Sequence, residues 1–483
     1  MKQESTVTAP TQGTPHPADG ASSNGRSVVL ALAFSGIVVS LMQSLLIPLI
    51  PELPRLLDET ASNTSWAVTA TLLAGAVATP TVGRLGDMFG KRRILLASVA
   101  MLIAGSVLGA FSTALLPLII ARVMQGLAAG VIPLGISIMR DVLPAERLGN
   151  ATATMSASLG VGGALGLPLA ATIAQNADWH VLFWVAAGLG CVAFLFVLRM
   201  VPESTVRAGG RFDLIGAAGV SAVLVSLLLA VSKGADWGWG SPLTIGLFVT
   251  AALVSVAWAV WELRTAAPLV DLRVTVGRQL LLTNVASLMF GFSMFAMSLV
   301  LPQLLQAPTT TGYGLGQSML IAGLVMAPSG LVMMAVAPVS ARVTRAAGPA
   351  IALMIGAATT ALGYGLGVLL MNAVWQLVMV SIVIGAGIGV AYGAMPALVM
   401  GAAPRSQTAA ANSFNTLMRS IGTTVSSAVA GVVLAQMTMT SSGGEVPTQG
   451  AFQVVLAVGA GAALVALGIA AFLPGRPGAR QNG

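Results

Sequence analysis

The chain has 483 residues, of which 56% belong to the apolar set Ala, Val, Ile, Leu, Met, Phe, Trp, Tyr and Cys and 8% are charged, against about 25% charged in soluble proteins. With 23 Lys plus Arg, 15 Asp plus Glu and a mean hydropathy of +0.91, there is too little charge to cover the water-facing surface of a 48.6 kDa globule, which excludes a soluble protein. The apolar runs are about twenty residues long and do not alternate, which excludes a transmembrane β-barrel and leaves an all-α membrane protein.

In chain order, residues 1–26 are rich in Ser, Thr, Pro and Gly and are expected to form a disordered tail. The first apolar run, from Val28 to about Pro51, is too long for a signal-peptide core and has no small-residue cleavage site after it, so it reads as a spanning helix. Roughly 20 apolar residues cross a bilayer, and fourteen runs qualify: 28–50, 64–82, 94–113, 115–139, 152–174, 181–200, 214–232, 243–262, 280–302, 318–340, 349–371, 375–400, 413–436 and 451–473. Residues 474–483 form a second tail. An even number of crossings puts both termini on one side. The basic residues fall in the alternate loops and tails of that same side, with Arg55 and Lys233 on the other and Arg122 and Arg419 within spans. Positive charge marks the cytoplasmic side, so the expectation is a multi-pass protein of the cell (inner) membrane with both termini in the cytoplasm.

The same distribution accounts for the net charge of +8 as orienting charge, and no nucleic-acid partner is expected. A single cysteine, Cys191, excludes an intramolecular disulfide. His16 lies in the tail and His180 in a loop, so no His/Cys metal cluster is expected. No cofactor is implied.

Repeats organise the chain. Pro80, Arg84 and Gly90 recur as Pro338, Arg342 and Gly348 at an offset of 258; Gly126-x-x-x-Gly130 recurs as Gly385-x-x-x-Gly389 at 259; and Asn150 with Gly160 recurs as Asn412 with Gly422 at 262. Small-xxx-small spacing alone is common at helix contacts, but the shared offset and orientation indicate two parallel six-helix repeats. The expected organisation is an N-terminal bundle over 27–201, two inserted helices with linkers over 202–278, and a C-terminal bundle over 279–473.

The segment Gly83-Arg-Leu-Gly-Asp87-Met-Phe-Gly90-Lys91-Arg92-Arg93 stands between helices 2 and 3. Glycines permit tight turning, and Asp87 offers an anion to a partner helix N-terminus or an arginine. This segment resembles the signature loop of the major facilitator superfamily, with Met88 where that family has a basic residue and, in the second copy, Arg345 opposite Asp87. Arg122-Val-Met-Gln125-Gly126 in helix 4 resembles the family's second motif, and an arginine inside a span is a functional candidate by default. The resemblance implies a part for Arg122 in proton coupling; a structural arginine bonded to neighbouring carbonyls is the other reading. Helix 5, with Gly160, Gly162, Gly166 and Pro168, resembles the antiporter motif of drug exporters, in which glycine and proline make a tight contact with the other half. Pro168 stands one residue later than in that motif, and Ala170 and Ala171 replace its closing glycines; a plain packing helix is the alternative.

Fourteen spans with these motifs resemble the fourteen-helix drug:proton antiporter family. That resemblance implies two halves rocking about a midplane site and a central cavity lined by helices 1, 4, 9 and 12. Candidates on those helices are Gln43, Ser44, Arg122, Gln125, Asn284, Phe290 and Tyr392. The family's helix 1 aspartate is missing near Met42, where the nearest polar group, Gln43, cannot titrate. Met289, Met294, Met297, Met326, Met333 and Met334 crowd helices 9 and 10 and suit either an adaptable apolar pocket or packing. Asp141, Glu146 and Arg147 are expected to tether helix ends at the cytoplasmic gate, and Trp237 and Trp239 to anchor an interface.

The resulting expectation is a secondary transporter, not an enzyme, since no cluster of His, Cys or paired acids lies near one membrane face. It would act as a monomer in the lipid bilayer, exporting small amphiphilic organic compounds in exchange for protons, with Gly83, Asp87, Gly90, Lys91 and Arg92 as the latch. An importer or facilitator of the same fold, working without protons, is the alternative.

Overall fold

A computed structural model of the chain describes residues 18–46, 49–50, 52–441 and 444–473. Residues 1–17 and 474–483, where tails are expected, lie outside the described residues. From Ala18 the chain is already helical, which the tail composition does not suggest; extending a formed helix costs far less than nucleating one.

Among the described residues, fourteen helices are long and apolar enough to cross a membrane. The N-terminal half holds helix 1 (Gly25–Ser44), helix 2 (Trp66–Phe89), helix 3 (Lys91–Ala110), helix 4 (Leu115–Val142), helix 5 (Ala145–Asn176) and helix 6 (His180–Met200). Helix 7 (Leu214–Trp237) and helix 8 (Pro242–Arg264) form the insert. The C-terminal half holds helix 9 (Arg278–Gln306), helix 10 (Met319–Ala347), helix 11 (Pro349–Leu369), helix 12 (Val374–Ala402), helix 13 (Arg405–Gln436) and helix 14 (Gln449–Ala471). A two-stranded antiparallel hairpin, Thr438–Ser441 with Gly444–Pro447, joins helices 13 and 14; the sequence reading contains no strand.

Local chemistry sets several ends. Asp213, Ser241, Ser318 and Thr448 accept the N–H three residues on and so cap helices 7, 8, 10 and 14. Gly90 and Gly348, related by the repeat offset, have φ of +112° and +99°, a backbone that favours glycine. Each turns the chain in a single residue from one spanning helix into the next.

The two halves repeat one packing scheme. Helix 4 lies on helix 2 so closely that a Cβ at Gly126 would stand 2.5 Å from the Thr71 carbonyl oxygen, and one at Gly130 2.4 Å from Val82. Helix 12 lies on helix 10 in the same way, with Gly385 against Ser329 and Gly389 against Met333. Where hydrocarbon gives helices no hydrophobic reason to associate, such backbone approach is what holds them. Each half has an apolar core, with Ala153 and Ala157 of helix 5 joining that of the C-terminal half and Met400 and Ala409 that of the N-terminal half. In the C-terminal half the Tyr364 hydroxyl enters helix 9, donating to the Ser293 carbonyl and accepting the Met297 N–H at 3.0 Å, so it stands in for one i→i−4 bond of that helix.

The halves meet along two seams, helix 2 with helix 13 and helix 5 with helix 10, and helix 7 packs on both members of the first. Lys233, expected in a loop, lies inside helix 7, four residues before its end at Trp237, and is buried. Its charge is met by Asp236 at 2.9 Å and by the Trp66 ring 5.3 Å away.

Candidate functional site

On the face that gathers the basic loops, helix 2 continues through Gly83 and Gly86 to Phe89, so Asp87 stands in its last turn rather than in a loop. Asp87 is 0% exposed. Its Oδ1 accepts the Ala409 N–H at 3.3 Å and its Oδ2 the Ala410 N–H at 2.9 Å. Both amides belong to the first α-helical turn of helix 13, which starts at Thr408, where N–H groups lack intrahelical partners and the dipole favours an anion. A carboxylate of one half thus caps a helix of the other.

Lys91 is also 0% exposed, with Nζ 3.5 Å from Asp87 Oδ1 and 2.6 Å from Asp141 Oδ2; a buried ammonium persists only when paired. Ser204 Oγ donates to the same Asp141 oxygen, and the Ala208 N–H donates to the Asp87 carbonyl at 2.7 Å, which fastens the segment after helix 6 to this point. Arg92 serves that segment too: its N–H donates to Glu203 Oε1 at 3.2 Å and its guanidinium to the Leu198 carbonyl. Gly90 leaves room for Glu203, since a Cβ there would stand 2.9 Å from Oε1. Gly83 lets helix 13 close on helix 2: a Cβ would stand 2.2 Å from Ser413 Oγ and 2.9 Å from the Ala409 carbonyl oxygen.

Arg140, which sequence reasoning counted only as an orienting charge, makes a second tie. Its Nη1 donates to Thr408 Oγ1 at 2.6 Å and its Nη2 to the Met400 carbonyl at 2.8 Å. Nothing beyond its place at a helix end distinguishes it in the sequence from the other basic residues of this face. In the second repeat Arg345 stands in the place of Asp87 and bonds back to Ala341 of its own helix at 3.3 Å, so the two seams differ.

Helix 5 has two working faces. Gly162 and Gly166, one turn apart, receive helix 1 at Ser40, Leu41 and Ser44 rather than the other half. Gly160, Ala164 and Pro168 lie two residues out of phase, about 200° around the helix, and receive Met333, Gly330 and Gly323 of helix 10. Of the expected inter-half contact, only the Pro168 face therefore reaches across.

Arg122 is buried inside the N-terminal half. Its guanidinium donates to Gln125 Oε1 at 2.6 Å, the Met42 carbonyl at 3.3 Å and the Ala67 carbonyl at 3.4 Å, and Gln125 donates on to Ser106 Oγ at 2.9 Å. The void beside it, lined by Met42, Leu46 and Phe183, has a volume of about 10 Å³, on the scale of a single water.

The remaining candidates separate. Gln43 is exposed, about 140° around helix 1 from the outward-facing Leu30 at 100° per residue. Ser44 is buried against Gly166, its hydroxyl spent on the Leu41 carbonyl at 3.0 Å. Asn284 is buried between helices 9 and 13, where its Oδ1 accepts from Asn415 Nδ2 at 3.0 Å and its own Nδ2 has no acceptor. Phe290 and Tyr392 do come together, ring edge to ring face with centroids 6.3 Å apart, and the Tyr392 hydroxyl points to Met294 Sδ at 3.7 Å. Over the same Tyr392 ring lies the guanidinium of Arg419, 4.9 Å from the centroid. Arg419 was legible only as a leftover charge in a span, although an intramembrane cation is itself a signal. Met297, Met326 and Met333 fill the C-terminal core.

Comparison with known proteins agrees with this architecture. An uncharacterised MFS-type transporter of Mycobacterium tuberculosis (strain CDC 1551 / Oshkosh) is 29% identical over 309 residues, 63% of this chain but only 45% of that protein, so the match spans less than half of the relative's length. Multidrug resistance protein 3 of Bacillus subtilis (strain 168) is 25% identical over 383 residues, 76% of this chain and 72% of its own. The crystal structure of the human organic anion transporter MFSD10 (TETRAN) superposes with a TM-score of 0.63 at 16% identity, covering 92% of this chain and 99% of that one, which shows the fold. The family description Major Facilitator Superfamily matches residues 32–427, and with two six-helix repeats around an inserted helix pair the chain belongs to that superfamily of membrane transporters, which are not enzymes.

Proposed function

We propose that the protein exports small amphiphilic, drug-like organic compounds across the cytoplasmic membrane by alternating access, in exchange for protons. The basic face and both termini lie in the cytoplasm under this reading. The observation that carries it is the pair of ties, Asp87 to the start of helix 13 and Arg140 to Thr408, which fasten the two halves on the basic face. A transporter that alternates needs such a closure to form in one state and break in the other. A relative named for multidrug resistance supports the class of cargo. Arg122 and Gln125 act in this scheme through helices 1 and 2, whose carbonyls Arg122 holds.

Proton coupling then falls to a carboxylate of the closed face, Asp87 or Asp141. The lack of an acid near Met42 favours the second reading, a facilitator that runs without protons. Inside-out vesicles from cells expressing the protein separate the two. Uptake of a lipophilic dye that rises with an imposed pH gradient and collapses with a protonophore is expected; uptake indifferent to the gradient supports the facilitator, and no uptake refutes export.

A further inference from the structure

We infer that Arg419 and Tyr392 form an anion-recognition site inside the membrane, so that the transported compound carries a carboxylate, sulfonate or similar group on an apolar body. This deepens the transport reading and rests on it.

Arg419 lies eleven residues into the α-helical part of helix 13, which runs from Thr408 to Gln436, or about 17 Å from its start at 1.5 Å per residue. That is close to the middle of the bilayer, where a charge is costly and is retained for a reason. The helices of its own half offer no counter-charge: from Leu272 to Gly483 the one acid is Glu445, in the hairpin beyond the end of helix 13. Asp87, which does touch helix 13, is spent on Ala409 and Ala410, about 15 Å away along the helix.

Among the described residues, the guanidinium has the Tyr392 ring beneath it and the Thr416 hydroxyl at 3.5 Å, the outer limit of a hydrogen bond. A guanidinium has five donors in a planar fork, and stacking on a ring occupies its face while leaving its edges free. Arg122 shows the contrast: also inside a span, it is bonded to two carbonyls and an amide oxygen. Arg419 is also partly exposed.

The guanidinium is carried by fixed backbone. A Cβ at Gly291 would stand 2.1 Å from the Arg419 carbonyl oxygen, and one at Gly422 1.9 Å from that of Leu288, so helices 9 and 13 are locked together on either side of it. Phe290 and the Met294 thioether pack against the Tyr392 ring beneath the cation. A planar anion meets the fork bidentately, while its apolar body meets the aromatic and methionine wall.

The test uses three probes of one shape and different charge: dansylglycine, dansylglycinamide and dansyl-ethylenediamine. Each is titrated against the purified full chain in nanodiscs by dansyl emission, with empty nanodiscs subtracted. The wild type is expected to bind dansylglycine at least tenfold more tightly than the other two. Arg419→Gln should erase that preference while leaving dansylglycinamide within twofold, and Arg419→Lys should keep part of it. Equal binding of all three probes, binding of none, or an Arg419→Gln variant that weakens all three alike overturns the site. If Arg419→Gln does not fold, the wild-type preference and its partial retention in Arg419→Lys decide. Vesicle transport of the same probes separates this from the broader reading. Vesicles that move dansylglycinamide without preferring the carboxylate refute the anion site and leave transport standing; carboxylate-selective binding without movement keeps the site and refutes transport.

Discussion

Asp87 and Ala410 belong to different halves of the molecule, yet the Asp87 carboxylate accepts the Ala410 N–H at 2.9 Å with no exposure to solvent. A hydrogen bond to a charged group is worth about 1.5–3 kcal/mol, and this one exists only while the basic face is closed. Asp87→Asn keeps the shape and removes the charge. It should insert and fold normally, transport at least tenfold more slowly, and spend more time open on that face. Labelling of a Ser413→Cys reporter by an impermeant maleimide, in a Cys191→Ser background, should rise from the basic side. Unchanged labelling and transport would show that the carboxylate is not a latch.

Gly83 makes the same closure sterically possible. With Ser413 Oγ 2.2 Å from the place a Cβ would take, Gly83→Val cannot keep the present contact of helices 2 and 13. The expected result is folded protein with little transport and the reporter accessible; Gly163→Val, at a position with open space around the missing Cβ, should be nearly silent. Equal behaviour of the two variants would contradict this.

Arg122 offers a different kind of loss. Arg122→Leu strands Gln125 Oε1 and takes the side-chain donor from the Met42 carbonyl, while the Ala67 carbonyl keeps the Thr71 hydroxyl, and each buried unsatisfied group costs about 1–3 kcal/mol. A clear drop in Tm is expected in addition to any loss of transport. Met42→Asp, beside the same guanidinium, supplies an acid where helix 1 has none and should increase the dependence of transport on the pH gradient. An Arg122→Leu variant with wild-type Tm would mean the hydrogen bonds contribute little.

Tyr364→Phe removes a hydroxyl that serves both the Ser293 carbonyl and the Met297 N–H inside helix 9. It should lower Tm, at a cost of about 1–3 kcal/mol, with expression retained. An unchanged Tm would show that helix 9 closes the gap by itself.

Composition and run length made the fourteen crossings legible, because hydrocarbon forces every backbone group into helix. The common offset likewise revealed the repeat, and the structure pairs Gly126 with Gly385 in matching contacts. Partners across the fold were not legible. Glycines on helix 5 showed in the sequence, but whether Gly162 faces helix 1 or helix 10 depends on a rotation that spacing leaves open until one contact is fixed. Arg140 and Arg419 look like any other basic residues in a list; what separates them is that one finds Thr408 and the other finds an aromatic ring and no acid. Asn284 and Ser44 are buried, but Asn284 is bonded to Asn415 of helix 13 and Ser44 to Leu41 of its own helix.

Helix 7 lies on both helix 2 and helix 13, whereas beside the contacts of helices 5 and 10 the side chains of Leu165, Leu324 and Leu331 stand exposed. A greasy molecule dissolved in the surrounding leaflet therefore meets a shielded flank on one side of the protein and a bare one on the other. The flanks that the protein turns to lipid are unequal, however symmetric the two repeats look.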